Sequence, residues 1–172
     1  MNRPKQQGQL DWLCGVYAVV NAFIKCGISN KKSKKLFKEA ILALPCEGWP
    51  EVLWKGTSFK ELRKMIRGCH EEVARTSGIL VEYPFLDGPK PKTDQEYHAK
   101  CLELVAEDDV KCLILGLKKK NHWVVATSDS DGKRILHLDS EQSEPVLRNK
   151  PKGEATKEIY CRKQLVVFRK AE

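Results

Sequence analysis

The sequence predicts an α+β fold, and three observations predict it. Apolar residues at helical spacing dominate the N-terminal part, and strand-like apolar runs dominate after Asp109. A turn signal, Ser128-Asp-Ser-Asp-Gly132, joins two of those runs as a hairpin. Helices followed by an antiparallel sheet are the grammar of α+β domains. The length, 172 residues, suits one domain spanning 1–172.

The elements follow in order. Residues 1 to 11 read as an extended lead-in. From Cys14 the chain runs CGVYAVVNAFIKCG, with Val16, Val19, Val20, Phe23 and Ile24 on one helical stripe and Tyr17, Ala18 and Ala22 filling much of the other side. A helix apolar nearly all round is a buried, central one. Gly27 supplies its stop. A second helix is expected from Lys31 to Leu44, with Asn30 as N-cap and Leu36, Phe37, Ala40, Ile41 and Leu44 inward. Its start carries Lys31, Lys32, Lys34, Lys35 and Lys38, cations that oppose the helix dipole and so call for a solvated end. Pro45 to Gly56, holding Trp49 and Trp54, reads as a loop. Ser58-Phe-Lys-Glu61 is a capping box opening a third helix through Arg75. Thr93-Asp-Gln-Glu96 repeats the signature before a fourth, Tyr97 to Ala106. Expected strands are Ile79–Tyr83, Cys112–Leu115, His122–Thr127, Arg134–Asp139 and Ile159–Arg169. Residues 140 to 158 read as a polar connection.

Composition bounds the function. At 41% apolar residues plus 11 glycines, neither a disordered tail nor a collagen-like chain fits. No apolar run approaches the ~18 residues of a membrane span; the longest, Val16 to Ile24, stops at Lys25. The start, MNRPKQQGQLDW, is polar and lacks a secretory apolar core. The expectation is a cytoplasmic protein, or one delivered into a target cell without a cleavable signal. Lys plus Arg is 31 against 23 Asp plus Glu, a net charge of +8. Such an excess suits an acidic protein partner or simple solubility. The lysine cluster matches no named nucleic-acid motif and lacks interleaved aromatics, so nucleic acid is not the expected partner. Seven cysteines, an odd count with no CxxC pair, support neither a disulfide framework nor a zinc site.

One thiol stands apart. Cys14 opens the buried helix, where outward-pointing N–H groups and the positive dipole end favour an anionic sulfur. Such a sulfur is a nucleophile once a base stands nearby. Of four histidines, His70 and His98 sit on helices as surface or satisfied side chains. His122 opens a strand, and His137 lies inside the next. Hairpin parity sets His122 near Asp139, and its place at a strand mouth, rather than in mid-strand where a side chain is usually covered, favours it over His137. With Asp131 and Gly132 as the central turn residues, Val124 faces Asp139 and His122 is its diagonal neighbour; a four-residue loop, Asp129 to Gly132, would set His122 directly opposite. In both registers the imidazole and carboxylate share a face, so Asp139 is placed to orient the ring and support its charged form. His137 shares that face and is the competitor.

The order Cys…His…Asp, with Cys14-Gly15 heading a buried helix and Asn121-His122-Trp123 opening a strand, resembles the papain-like cysteine peptidase superfamily. The closer likeness is to compact bacterial branches such as bacteriocin-leader peptidases and secreted effector enzymes. The Cys-Gly-Ser-Cys-Trp signature of plant and lysosomal members is absent; the local string is LDWLCGVYAVVNAF. The resemblance implies a papain-like α+β fold with Cys14 as nucleophile, His122 as general base and Asp139, 17 residues later, as orienting acid. It implies an oxyanion donor from a glutamine ahead of the cysteine: Gln9 is the candidate, with Gln7 and Gln6 behind it. The Cys14 N–H would be the second donor. No cofactor and no metal are implied. The activity implied is thiol-dependent amide hydrolysis, foremost cleavage of a peptide bond in a protein or peptide substrate. Deamidation of a protein glutamine by an effector or toxin is the alternative, and transfer to an amine a third outcome. A non-catalytic basic binding module is the reading from another class. Trp12 and Trp123 flank the proposed catalytic residues as cleft walls or core.

Overall fold

The computed structural model describes residues 5–7, 12–118, 122–142, 144, 146–148 and 159–170. The architecture is α+β. Helix α1 (Cys14–Lys25) lies at its centre, buried on nearly every side. Its end is a Schellman cap: Gly27 N–H donates to Ile24 O, Ile28 N–H donates to Phe23 O, and Gly27 takes the left-handed φ of 93° that this cap demands. Asn21, a polar residue on this apolar helix, is matched by the lead-in. Its Oδ1 accepts from Lys5 N–H at 2.7 Å and its Nδ2 donates to Lys5 O at 3.1 Å.

Two helices pack against α1. Helix α2 (Ser33–Leu42) follows a tight turn over Asn30–Lys32, which Ser29 caps by accepting from Lys31 N–H. The cap thus falls one residue before the expected Asn30. The lysines of the cluster lie towards solvent, as their opposition to the dipole requires. A single turn, α3 (Val52–Lys55), interrupts the expected loop and ends at Gly56, φ 70°. Helix α4 (Phe59–Cys69) begins with the expected capping box. Ser58 N–H donates to Glu61 Oε2 at 2.7 Å, and Glu61 N–H donates to Ser58 Oγ at 3.3 Å. A wider π turn, His70–Ala74, continues it.

Among the described residues the sheet has six strands. These are β1 (Ile79–Glu82), β2 (Val110–Leu117), β3 (His122–Ser128), β4 (Ile135–Leu138), β5 (Val146–Arg148) and β6 (Tyr160–Lys170), in the order β1-β6-β2-β3-β4-β5, with every pair antiparallel. Strand β5 lies within the stretch read as a polar connection. It spans three residues and, among the described residues, pairs only with β4; the run is too short to show an alternating pattern. Helix α5 (Asp94–Val105) begins one turn earlier than Tyr97, because Thr93 caps it by accepting from Glu96 N–H.

Alternation along the central strands builds two cores. On β2, Cys112 and Ile114 join α1, α2 and α4, while Leu113 and Leu115 join Tyr97, Cys101 and Leu104 of α5. On β6, Val166 and Phe168 take the first side, Leu165 and Val167 the second. With both faces covered, these strands read as unbroken apolar runs rather than alternating ones. Among the described residues no helix is long and apolar enough to cross a membrane.

Candidate active site

Cys14 is the first residue of α1. Leu13, at the cap position, offers no side-chain hydrogen bond, and the first turn holds no acid. Among the described residues no capping side chain neutralises its N–H groups and positive dipole end. Gly15 lets this end approach the neighbouring wall. A methyl there would overlap Thr57 Oγ1 and stand 3.2 Å from the Trp123 ring. Trp123 is buried, donates from Nε1 to Thr57 O at 2.8 Å and stacks on Phe59 at 5.9 Å. This anchor pins the start of β3 to the loop between α3 and α4, with His122 beside Cys14.

His122 and Asp139 meet across the hairpin. Val125 pairs with Leu138 and Ala126 with His137, so the expected register holds and His122 lies diagonal to Asp139. The loop is longer than the two-residue version of that register. Asp129 N–H donates to Arg134 O, and Asp129 Oδ1 accepts from the N–H groups of Lys133 and Arg134. The length stays even, and parity survives. His122 Nε2 stands 2.7 Å from Asp139 Oδ1, with both residues buried. Glu141 N–H donates to the same carboxylate oxygen at 2.9 Å.

Burial alone would drive a proton off His122. Its hydrogen bonds with Asp139 and Cys14, and the charge on both, overturn that effect and push its pKa up to about 10. Burial likewise raises Asp139, but the bonds from His122 and the Glu141 N–H hold the carboxyl below its ordinary range. Cys14, His122 and Asp139 thus form an interacting series in which both neighbours favour the protonated imidazole. Such a series can supply a nucleophile and a proton donor together.

Glu141 completes the surroundings, and it was not among the expected residues. Its Oε1 lies 3.5 Å from His122 Nδ1. The pairing that joins Val125 to Leu138 sets Glu141 opposite His122 when extended, so the signal lay in the same hairpin arithmetic. Among the described residues, His122, Asp139 and Glu141 are the one group of metal-ligand types drawn together, within 4.8 Å of one another. The hydrogen bond between His122 and Asp139 already engages two of its three donors.

The other expected residues separate clearly. His137 is as buried as His122, so position along a strand does not distinguish them; what does is that the His122 ring bonds both Cys14 and Asp139. His70 Nε2 is 2.9 Å from Ile79 O, and His98 Nδ1 is 3.2 Å from Tyr160 Oη. Gln9 lies outside the described residues, as does Asn121. Gln7 is engaged with Ser140 instead. Its N–H donates to Ser140 O, and its Oε1 accepts from Ser140 Oγ, both at 3.1 Å. The lead-in thereby grips the residue next to Asp139.

Trp12 is 54% exposed, and its N–H donates to Leu53 O at 3.0 Å. Trp123, by contrast, belongs to the core. A groove of about 430 Å³ opens beside Trp123, walled by Val52 and Lys55 of α3 and by Phe59 of α4. All seven cysteines are free. Cys69 donates to Leu36 O, and burial pushes its pKa up to about 12. Burial raises Cys101 and Cys112 too.

The chain was compared with models of known protein families and with curated proteins, and it matches none of them.

Proposed function

We propose that the protein is a papain-like, thiol-dependent amide hydrolase whose reaction is cleavage of a peptide bond. The observation that carries this reading is the continuous Cys14–His122–Asp139 hydrogen-bonded series at the start of a buried helix. The Cys14 sulfur attacks the carbonyl carbon, and the carbonyl oxygen gathers the negative charge. The Cys14 N–H and a glutamine of the lead-in, Gln9, stabilise that oxyanion. Protonated His122 gives its proton to the leaving amine as the carbon–nitrogen bond breaks, leaving a thioester on Cys14. Neutral His122 then takes a proton from water, the resulting hydroxide attacks the thioester, and the acid departs with Cys14 restored. Asp139 holds the ring's orientation throughout.

The test is alkylation of Cys14 by iodoacetamide, followed by mass spectrometry across pH. In the native chain Cys14 is expected to react faster than Cys69, Cys101 and Cys112, and to lose that advantage in His122→Ala. Equal rates for all buried thiols, indifferent to His122, would overturn the reading. Incubation with a peptide library then identifies the reaction: new termini mean backbone cleavage, whereas a one-dalton gain without cleavage means deamidation.

A further inference from the structure

A second surface, remote in sequence from the hairpin, carries a dense patch of positive charge. Lys60, Arg63, Lys64 and Arg67 recur at the spacing that brings them to one face of α4. That face borders an open furrow of about 560 Å³ whose opposite wall is β1. Nearby acids that would neutralise it are already engaged. Glu61 closes the capping box with Ser58, and Glu82 pairs with Arg169 at 3.0 Å. Among the described residues Glu71 is the one acid in the lining, against the four cations. The floor is apolar, formed by Ile66, Ile79 and Val81, with Leu80 54% exposed at its margin.

The wall itself is a sheet edge, because among the described residues β1 is the outermost strand and pairs only with β6. Ile79 faces Lys170, whose N–H points the other way, to Asp109 O at 2.9 Å. Ile79 and Lys170 are therefore a non-hydrogen-bonded pair, and Ile79 and Val81 turn their N–H and C=O groups outward. His70 Nε2 takes up the Ile79 carbonyl. The backbone donor and acceptor of Val81 face the furrow, which is the chemistry that an added strand satisfies.

The geometry points to a docking site for an extended, acidic segment of a partner protein, laid along β1 at Val81 with its carboxylates against the α4 cations. Alternate side chains of such a segment would meet the apolar floor and the basic wall. A nucleic acid would satisfy the cations but not the outward backbone groups. The aromatic at hand, Tyr83, already has one face taken by Arg63 at 5.1 Å and meets Phe59 in a T-shaped contact at 6.2 Å. The site shares no residue with the Cys14 site and does not depend on the hydrolase reading.

The experiment uses a fluorescein-labelled peptide of alternating glutamate and valine, the full chain, and anisotropy at about 0.1 M salt, where surface charges act over ~10 Å. Saturable binding is expected, weakened about tenfold by the double charge reversal Lys64→Glu/Arg67→Glu. It should be unchanged by Lys31→Glu/Lys34→Glu on the separate lysine cluster. The same peptide N-methylated at every residue, which leaves no N–H donor on either edge, should bind no better than the unmethylated peptide binds the reversed variant. Circular dichroism checks folding, and the milder Lys60→Gln/Lys64→Gln replaces any variant that fails. Absence of binding, binding indifferent to the α4 charges, or equal binding of the N-methylated peptide would each overturn the proposal. So would a single-stranded oligonucleotide that displaces the peptide and binds more tightly, since that makes the furrow a nucleic-acid surface.

Discussion

His122 Nε2 stands 2.7 Å from Asp139 Oδ1, across a hairpin in which the two residues are diagonal rather than facing neighbours. Both are nearly out of solvent, so their charges act on each other with little screening. The His122 midpoint, followed by NMR, is expected near 10, against an ordinary 6.5. It should fall in Asp139→Asn and in Cys14→Ala, each of which removes one raising partner. A raised folded-state pKa places the stabilising contribution of His122 fully below pH 6.5, and it drains away as pH climbs through about 10. Asp139, held low, contributes above 3.8 and loses its share as pH falls below that value. A wild-type His122 midpoint near 6.5 would contradict the charged series.

Glu141 should matter less. Its side chain is 35% exposed and its oxygen is 3.5 Å from Nδ1, so water screens most of the attraction. Glu141→Gln is expected to lower the His122 midpoint by under about one unit, and by less than Asp139→Asn does. The same NMR titration measures both, and a larger drop in the glutamine variant would make Glu141 the principal partner.

Gly15 and Thr57 form a tight contact that two substitutions probe from opposite sides. Gly15→Ala drives a methyl into Thr57 and should cost roughly 1–3 kcal/mol in denaturant unfolding, as overpacking does. The Thr57 hydroxyl is buried without a hydrogen-bond partner among the described residues. Thr57→Val, which keeps the shape and removes that hydroxyl, should leave stability unchanged or raise it by about 1 kcal/mol. A marked loss in the valine variant would mean that the hydroxyl has a partner in solution.

The capping box gives a simpler measurement. Ser58→Ala removes the acceptor for Glu61 N–H and one of the two donors to Glu61 Oε2, leaving the bond from the Ser58 backbone N–H. A loss of about 1 kcal/mol in unfolding free energy is expected. Glu61→Gln keeps the reach of the side chain and should cost less.

What the residues revealed in advance follows from how local each signal was. The core stripe of α1, its Gly27 stop and both Thr/Ser caps depend on neighbours within a few positions, and all are present. The meeting of His122 with Asp139 was legible because strand period and an even loop fix which side chains share a face. The loop length was not, because Asp129 folds back on Lys133 and Arg134 through its side chain, a choice that parity ignores. Strand β5 left no trace in the sequence because three residues carry no period. The placement of β6 between β1 and β2 has no local signature at all; it follows from both of its faces being apolar and needing two cores. The furrow beside α4 was hidden for a similar reason. The lysine cluster of α2 is denser along the chain, whereas the α4 cations gain their meaning from a sheet edge distant in sequence.

The position of β6 also governs the order of events at the ribosome. Of the six strands, translation delivers last one that sits inside the sheet, and until it emerges β1 and β2 have no common neighbour. A nascent chain holding everything up to β5 therefore leaves the backbone edge of β2 from Cys112 to Leu115 without its β6 partner.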